Sequence, residues 1–410
     1  MSAEVDVFLH GALVGDLRED DRGEWIFRFN DAYRRRPDRP VLGQKLEDDL
    51  TRAYKGKKGS IPPFFANLVP EQDGELRPIL ERHLGIAKGD DITLLERLGR
   101  DLPGAVELRR RPLAAPSRTI DLDPAIEPTE PADTDGEWMR FSLAGVQLKF
   151  SVLLADDRIT LPAHGRLGDW LVKLDSRRFP GLCENEHAIM SWARAAGFDV
   201  PELHLRPATD LVGTLADHAD PGARVLAIRR YDRGGSDGRA KIHQEDFAQV
   251  VNLLPKHKYD HFSYDDLARL IAAIVGDAAV DDYLRRLTFM IASGNGDAHL
   301  KNWSLLYRDR IHADLAPLYD QVATVAWPKK LALRLALNLG GVKDMNQIGL
   351  GALDRFARRS GLSHERVRAQ VTTTLAELAS AFRAASAAPT CPRPTARAAP
   401  PRAASAPAPR

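Results

Sequence analysis

Cysteine is nearly absent from this sequence. Cys183 and Cys391 are the two among 410 residues, at neither disulfide nor metal-ligand spacing, so a disulfide framework and a thiolate metal site are excluded. Low cysteine usage fits a reducing, cytoplasmic setting. No uninterrupted apolar run approaches the roughly 20 residues that span a bilayer, so no membrane partner is expected. The opening Met1-Ser2-Ala3-Glu4-Val5-Asp6 has no basic region ahead of an apolar stretch, and a signal peptide is not expected. Charge of one sign is lacking as well: 58 Lys and Arg against 57 Asp and Glu leave a formal +1, with no bias toward nucleic acid or membrane surfaces. No period of 20–50 residues marks a repeat protein.

What is present is enough apolar sequence, 44%, to build two domains or one large two-lobed unit. Val5, Val7 and Leu9 alternate, His10-Gly11 turns, and Trp25, Phe27 and Phe29 alternate again, which predicts a half-buried meander over residues 1–30. A helical run follows near Leu76–Leu84. Residues 1–111 thus read as a small subdomain of helices and strands with no evident catalytic cluster. Arg34-Arg35-Arg36, beside Asp31 and Asp38, reads as a solvated loop. Five prolines among charged residues make 112–136 an extended linker, and the second unit begins near Glu137. After Asp320 the chain reads as helical, near 346–360 and 363–385. Residues 386–410 hold 9 Ala, 7 Pro and 4 Arg without an acid, too little to build a core, and a disordered tail is expected.

The chemistry concentrates in Ser293–Leu306. An apolar helical segment with Leu284, Leu287 and Ile291 runs into Gly294-Asn295-Gly296, whose residues tolerate turn dihedrals. Asp297 follows, then Asn302, and the run Leu315–Tyr319 ends in Asp320. Two carboxylates and a carboxamide on loops at strand ends suit phosphoryl transfer, one Asp taking a hydroxyl proton while the Asn and the other Asp hold Mg²⁺ on ATP. Turn and cap chemistry is the competing reading of the Asp-x₄-Asn pair alone. Phe141–Val152 reads as a strand, turn and strand. By pattern it is a plain hairpin, neither Gly-x₄-Gly-Lys-Ser/Thr nor Gly-x-Gly-x-x-Gly. Trp170–Lys173 is a short β-rich run ending in a lysine. Glu184-Asn185-Glu186-His187 opens a helix with Ile189, Trp192 and Ala193 on its apolar face, and Glu186 is either a partner for Lys173 or a first-turn acid. Ile242–Gln249 is expected to open another helix, and His243 reads as structural.

Residues 294–302, Gly-Asn-x-Asp-x-His-x-Lys-Asn, and 315–320, Leu-x-Pro-x-Tyr-Asp, resemble the HipA family of bacterial toxin kinases. Pro62-Pro63-Phe64-Phe65, Asn67-Leu68-x-Pro70-Glu71 and Asp101-x-Pro103-Gly104-Ala105-Val106 are similar to that family's N-terminal subdomain. The resemblance implies an α+β fold. A small N-terminal α/β subdomain (1–111) would precede a two-lobed protein-kinase-like core (137–385), with an N-lobe to about 233 and a mainly helical C-lobe from about 240. Ser142-Leu143-Ala144-Gly145-Val146-Gln147-Leu148-Lys149 resembles the family's loop over the ATP phosphates. The resemblance implies phosphate contacts from that loop and Lys173, and makes Ser142 an autophosphorylation site. Arg230 and Tyr231 would lie at the adenine hinge, where Arg229 replaces a usual Glu. Asn302 and Asp320 would hold Mg²⁺, and Asp297 would be the base. Lys301 would screen the transferring phosphoryl while His299 braces the loop.

By resemblance the protein is a serine/threonine kinase, the toxin of a type II toxin–antitoxin pair. Its acceptor would be a protein such as an aminoacyl-tRNA synthetase. A small helix-turn-helix antitoxin would be its partner, with DNA reached only through that antitoxin. A small-metabolite kinase and a non-catalytic scaffold are the alternatives.

Overall fold

Glu4–Leu9 and Ala12–Glu19 pair antiparallel across His10-Gly11, both at positive φ, the two-residue turn whose twist suits a hairpin. Val5, Val7, Leu9 and Phe27 are fully buried, as the period of two requires. Trp25–Phe29 and Tyr54–Lys55 continue the meander, and Val106–Arg110 returns to pair with the opposite edge of the first strand. Helices Leu76–His83 and Asp91–Leu98 add Leu76, Leu80, Leu94 and Leu95 to the same core. The computed structural model describes residues 4–56, 60–72, 74, 76–99, 101–111, 148–162, 167–176, 178–235, 240–327 and 333–387. The expected linker at 112–136 and most of the expected tail lie outside them.

A second antiparallel sheet of five strands comprises Lys149–Ala155, Arg158–Thr160, Trp170–Lys173, Leu203–Pro207 and Arg224–Arg229. Helix Leu182–Ala195 covers part of it through Cys183 and Met190, which pack on Leu203, Leu226 and Ile228. The mainly helical lobe follows. Tyr264–Ile274, Ala278–Ala292, Leu350–Ser360 and His364–Ala387 enclose a separate core around Tyr264, Tyr283, Leu337 and Phe356. The fold is α+β, a small subdomain followed by the two lobes of a protein-kinase-like core. Among the described residues no helix is long and apolar enough to cross a membrane.

Two local expectations are corrected. His243–Asp246 is a strand paired with Ser304–Tyr307, and the helix begins only at Phe247, where Asp246 and Gln249 form a capping box. The stretch after Asp320 contains a hairpin, Arg334–Leu339 with Val342–Asp344, turning at Gly340-Gly341, both at positive φ. Leu335, Leu337 and Leu339 alternate ahead of a Gly-Gly pair, a strand signal among the helical ones.

The first core does not stop at the subdomain's edge. Phe150, Val152, Trp170 and Val172 of the second sheet belong to the same apolar cluster as Val5 and Phe65. A buried four-charge cluster reinforces that seam. Asp101 accepts from Arg230 Nη1 and Arg233 Nη2, each at 2.8 Å. Asp232 accepts from Arg230 Nη2 at 2.8 Å, Arg233 Nη1 at 2.9 Å and the Gly104 amide at 2.8 Å. Burial pushes the Asp232 carboxyl upward, yet the two guanidinium groups hold it well below the usual range. Asp101→Ala leaves two buried cations with one counter-charge. We expect a loss of about 3–5 kcal/mol, measured by denaturant unfolding of the full chain. Unchanged stability would show that the seam depends on its apolar contacts alone.

Candidate active site

The helix Ala278–Ala292 delivers the chain to a turn in which the glycines cannot be replaced without displacement. Gly294 has φ +71°, and a Cβ there would come within 2.5 Å of Val325 Cγ2; one on Gly296 would come within 2.5 Å of the Arg334 carbonyl oxygen. Thr324 clamps this turn, its Oγ1 donating to Gly294 O at 3.0 Å and accepting from Gly296 N at 2.8 Å. Asn295 is fully buried, with Oδ1 accepting from the Asp297 amide at 2.9 Å and Nδ2 donating to Gln321 Oε1 at 3.0 Å. Asp297 is thereby presented half-buried at the mouth of a cavity. Tyr259 Oη donates to its Oδ1 at 2.6 Å. Burial pushes this carboxyl up to about 6; the Tyr259 hydrogen bond opposes the rise and the Asp320 charge adds to it. Asn302 Nδ2 donates to Asp297 O at 2.9 Å, which leaves the amide oxygen as the atom it can offer a cation.

Asp320 sits at φ +56°, an uncommon conformation for a residue with a Cβ. Its Oδ1 is 2.5 Å from Lys173 Nζ, which also donates to Glu186 Oε1 at 2.6 Å and Oε2 at 2.8 Å. Lys173 and Glu186 are 3% and 0% exposed while Asp320 is half-buried, so the triad runs from the interior out to the cavity wall. Burial pushes Glu186 upward against the pull of Lys173. Burial also acts to raise Asp320, yet Lys173 and Lys149 hold its carboxyl far below the usual range. Lys149 lies directly across the sheet from Lys173. Burial brings its amine down to about 8, with Asp320 opposing the fall and Lys173 adding to it. Asn185, on the helix that carries Glu186, accepts from Ala323 N at 2.8 Å and so ties that helix to the segment after Asp320.

Lys149, Lys173, Asp297, Asn302 and Asp320 line one cavity of about 710 Å³, and Arg230, Tyr231, His299 and Lys301 reach it too. Ser142, Ala144, Gly145, Val146 and Gln147 lie outside the described residues. Arg230 reaches the cavity while its guanidinium Nε, Nη1 and Nη2 are engaged with Asp232, Asp101 and Ser151 in the buried seam. Tyr231 stands 5.5 Å, ring to ring, from Tyr319. His299 is buried with its ring edge-on to Tyr259, and burial keeps it neutral. Lys301 Nζ donates to Asn67 rather than standing open to the cavity.

Sequence reading missed the subdomain's share of this wall. Asn67, Leu68 and Glu71 line the cavity although they lie more than 200 residues before Asp297. The signal was the Asn-Leu-x-Pro-Glu segment, which carried no catalytic pattern of its own. The donor set fits a hard divalent cation, with one amide and one carboxylate oxygen. The cavity's size lies in the range of small-ligand sites, and two buried lysines supply positive charge for a polyphosphate.

Residues 5–109 match the HipA N-terminal domain and residues 141–384 the HipA-like C-terminal domain. The protein Y4dM of Sinorhizobium fredii is 38% identical over 369 residues, 88% of this chain and 87% of that one. The serine/threonine-protein kinase toxin HipA of Shewanella oneidensis is 26% identical, over 87% of this chain and 83% of that one. Among solved structures, the complex of Shewanella oneidensis HipA with HipB and operator DNA aligns over 93% of this chain and 90% of that chain, with TM-score 0.71 and 22% identity.

The triad makes a prediction that needs no ligand. Lys173→Met removes the cation that bonds both acids and leaves Lys149 as the neighbouring ammonium for Glu186 and Asp320. We expect a loss of about 3–5 kcal/mol at pH 7, smaller at a second, acidic pH because burial already favours the protonated form of Glu186. Denaturant melts at the two pH values check this; a pH-independent deficit would mean that lost packing, not charge repulsion, is responsible.

Proposed function

The chain belongs to the HipA family, and we propose that it is an ATP- and Mg²⁺-dependent serine/threonine-protein kinase, the toxin of a type II toxin–antitoxin pair. The observation that carries this reading is the convergence of Asp297, Asn302 and Asp320 on one cavity with the buried Lys173–Glu186 pair. Asp297 accepts the proton of a Ser or Thr hydroxyl as that oxygen attacks the γ-phosphorus; the bond to the β-phosphate oxygen breaks and ADP leaves. Its pKa of about 6 suits a base that is ionised at neutral pH yet not too weak to take a proton. Asn302 and Asp320 offer oxygens to the metal, which when bound neutralises charge on the phosphates. Lys173, oriented by Glu186, meets the α- and β-phosphates, and Lys149 adds a second cation beside it. Lys301 is assigned to bracing the loop, since Asn67 holds its amine. Tyr231 remains the residue proposed nearest the adenine, where the hinge contributes through its backbone.

The relatives support the rest of the reading. One is named a serine/threonine-protein kinase toxin, and the solved complex pairs its HipA with HipB and operator DNA. We further read it as a cytoplasmic protein, bound by a small helix-turn-helix antitoxin and reaching DNA through it. Its acceptor is a protein of the translation machinery, such as an aminoacyl-tRNA synthetase.

Two outcomes are expected. Asp297→Asn should slow phosphoryl transfer by about 10²–10⁴ while MgATP still binds, and should abolish growth arrest on induction. In the wild type, the rate should fall as pH drops through about 6, because the raised pKa means that the base is already half protonated there. Transfer that is indifferent to the substitution would end the assignment of Asp297. Separately, incubation with MgATP should place phosphate on Ser142, read by mass spectrometry. An active preparation unmodified at Ser142 would remove autophosphorylation from the scheme.

A further inference from the structure

Two lysines flank the catalytic carboxylate, and the N-terminal subdomain holds both. Lys301 Nζ donates to Asn67 O and to Asn67 Oδ1, each at 3.0 Å, and lies 3.3 Å from Asp246 Oδ2. Lys258 Nζ donates to both carboxylate oxygens of Glu71, each at 2.8 Å. Each lysine side chain is 6% exposed, so these charge-assisted contacts are shielded from water. The gripping segment is itself fixed. Asn67 Nδ2 donates to Pro63 O at 2.9 Å and Leu253 O at 2.8 Å. The buried Arg77 donates to Pro70 O at 3.2 Å while paired with Glu81 and Asp91.

Each lysine is one peptide bond from a residue that touches Asp297. Lys258 precedes Tyr259, whose hydroxyl meets Asp297 Oδ1, and the Lys258 carbonyl accepts from the Leu300 amide at 3.2 Å. Lys301 precedes Asn302, whose amide holds the Asp297 carbonyl. Displacing either ammonium therefore displaces a neighbour of the base. Lys149 and Lys173 stand on a different sheet and are not reached by Glu71 or Asn67.

We propose that Asn67 and Glu71 are positioning residues for phosphoryl transfer, the subdomain setting the catalytic loop by gripping Lys301 and Lys258. This rests on the kinase reading of the same site. A misplacement near 1 Å is enough to slow a reaction about a hundredfold. The grip acts on the catalytic loop and not on the nucleotide's lysines, so its loss falls on the transfer step.

The test uses the full chain and three variants: Glu71→Gln, Asn67→Ala, and the charge-reversed pair Glu71→Lys with Lys258→Glu. For Glu71→Gln and Asn67→Ala we expect kcat to fall about ten- to a hundredfold with KM for ATP moved by less than about threefold. The reversed pair should recover most of the rate that Glu71→Gln loses, which ties that loss to the Glu71–Lys258 ion pair. Deuterium exchange across 297–302 should quicken in Glu71→Gln without MgATP present, a readout independent of activity. Unchanged exchange there, or a rate loss that the reversed pair does not recover, overturns the proposal. A wild-type chain that transfers no phosphoryl overturns the kinase reading instead, and the exchange measurement then decides alone whether the subdomain holds the loop.

Discussion

One ammonium group, Lys173 Nζ, joins its own strand to the helix that follows, through Glu186, and to a segment 147 residues further on that presents Asp320. Taking Lys173 and Glu186 out of water costs several kcal/mol per ion, and the contacts return that cost only when the geometry is close. The triad meets that condition, with distances of 2.5 to 2.8 Å. Other features can be understood as its requirements. Asp320 adopts a positive φ, the helix that carries Glu186 is tied through Asn185 to Ala323, and Lys149 across the sheet is brought down to about 8 by burial, with Lys173 adding to the fall.

The subdomain is attached to both lobes by different chemistry. At the second sheet the seam is apolar surface reinforced by Asp101, Arg230, Asp232 and Arg233. At the helical lobe apolar contact is limited to residues such as Val41 and Leu254, and individual polar contacts are added to it. His243 Nε2 donates to Leu42 O at 2.8 Å, with burial lowering its pKa to about 4, so it stays neutral. Glu245 accepts from the Gln44 amide at 2.9 Å and from Tyr307, and burial pushes it up to about 8, so it holds a proton near neutrality. A neutral acid is cheaper to bury than a carboxylate, which explains how this junction tolerates Glu245 without a cation.

How much of this was legible in the sequence follows from how local each signal is. Val5, Val7 and Leu9 announced a strand because alternation is written in adjacent residues. The Asp297–Asn302–Asp320 spacing was legible for a similar reason, since one turn and the short hairpin of Ser304–Tyr307 with Asp314–Leu315 carry all three. The pairing of Arg230 with Asp101 was not legible, because the two lie 129 residues apart and no pattern links them. Asn67 and Glu71 were passed over because a lone amide and a lone acid become meaningful only once Lys301 and Lys258 fold against them. The hairpin at Gly340-Gly341 is a different kind of miss. Its signal was local, and helical signals on its C-terminal side outweighed it.

The shared core has a consequence for how the chain is made. The subdomain is synthesised first, yet its apolar cluster also needs Phe150, Val152, Trp170, Val172, Val225 and Ala227. At about 5–20 residues per second, a ribosome takes roughly six to twenty seconds to pass from the end of the subdomain to Ala227. For that interval the subdomain's own helices cover part of the cluster, and the surface that later meets the second sheet stays exposed to water. Asp320 emerges later still. A chain released early would carry a folded-looking N-terminal half whose Lys173 meets only one of its two carboxylates.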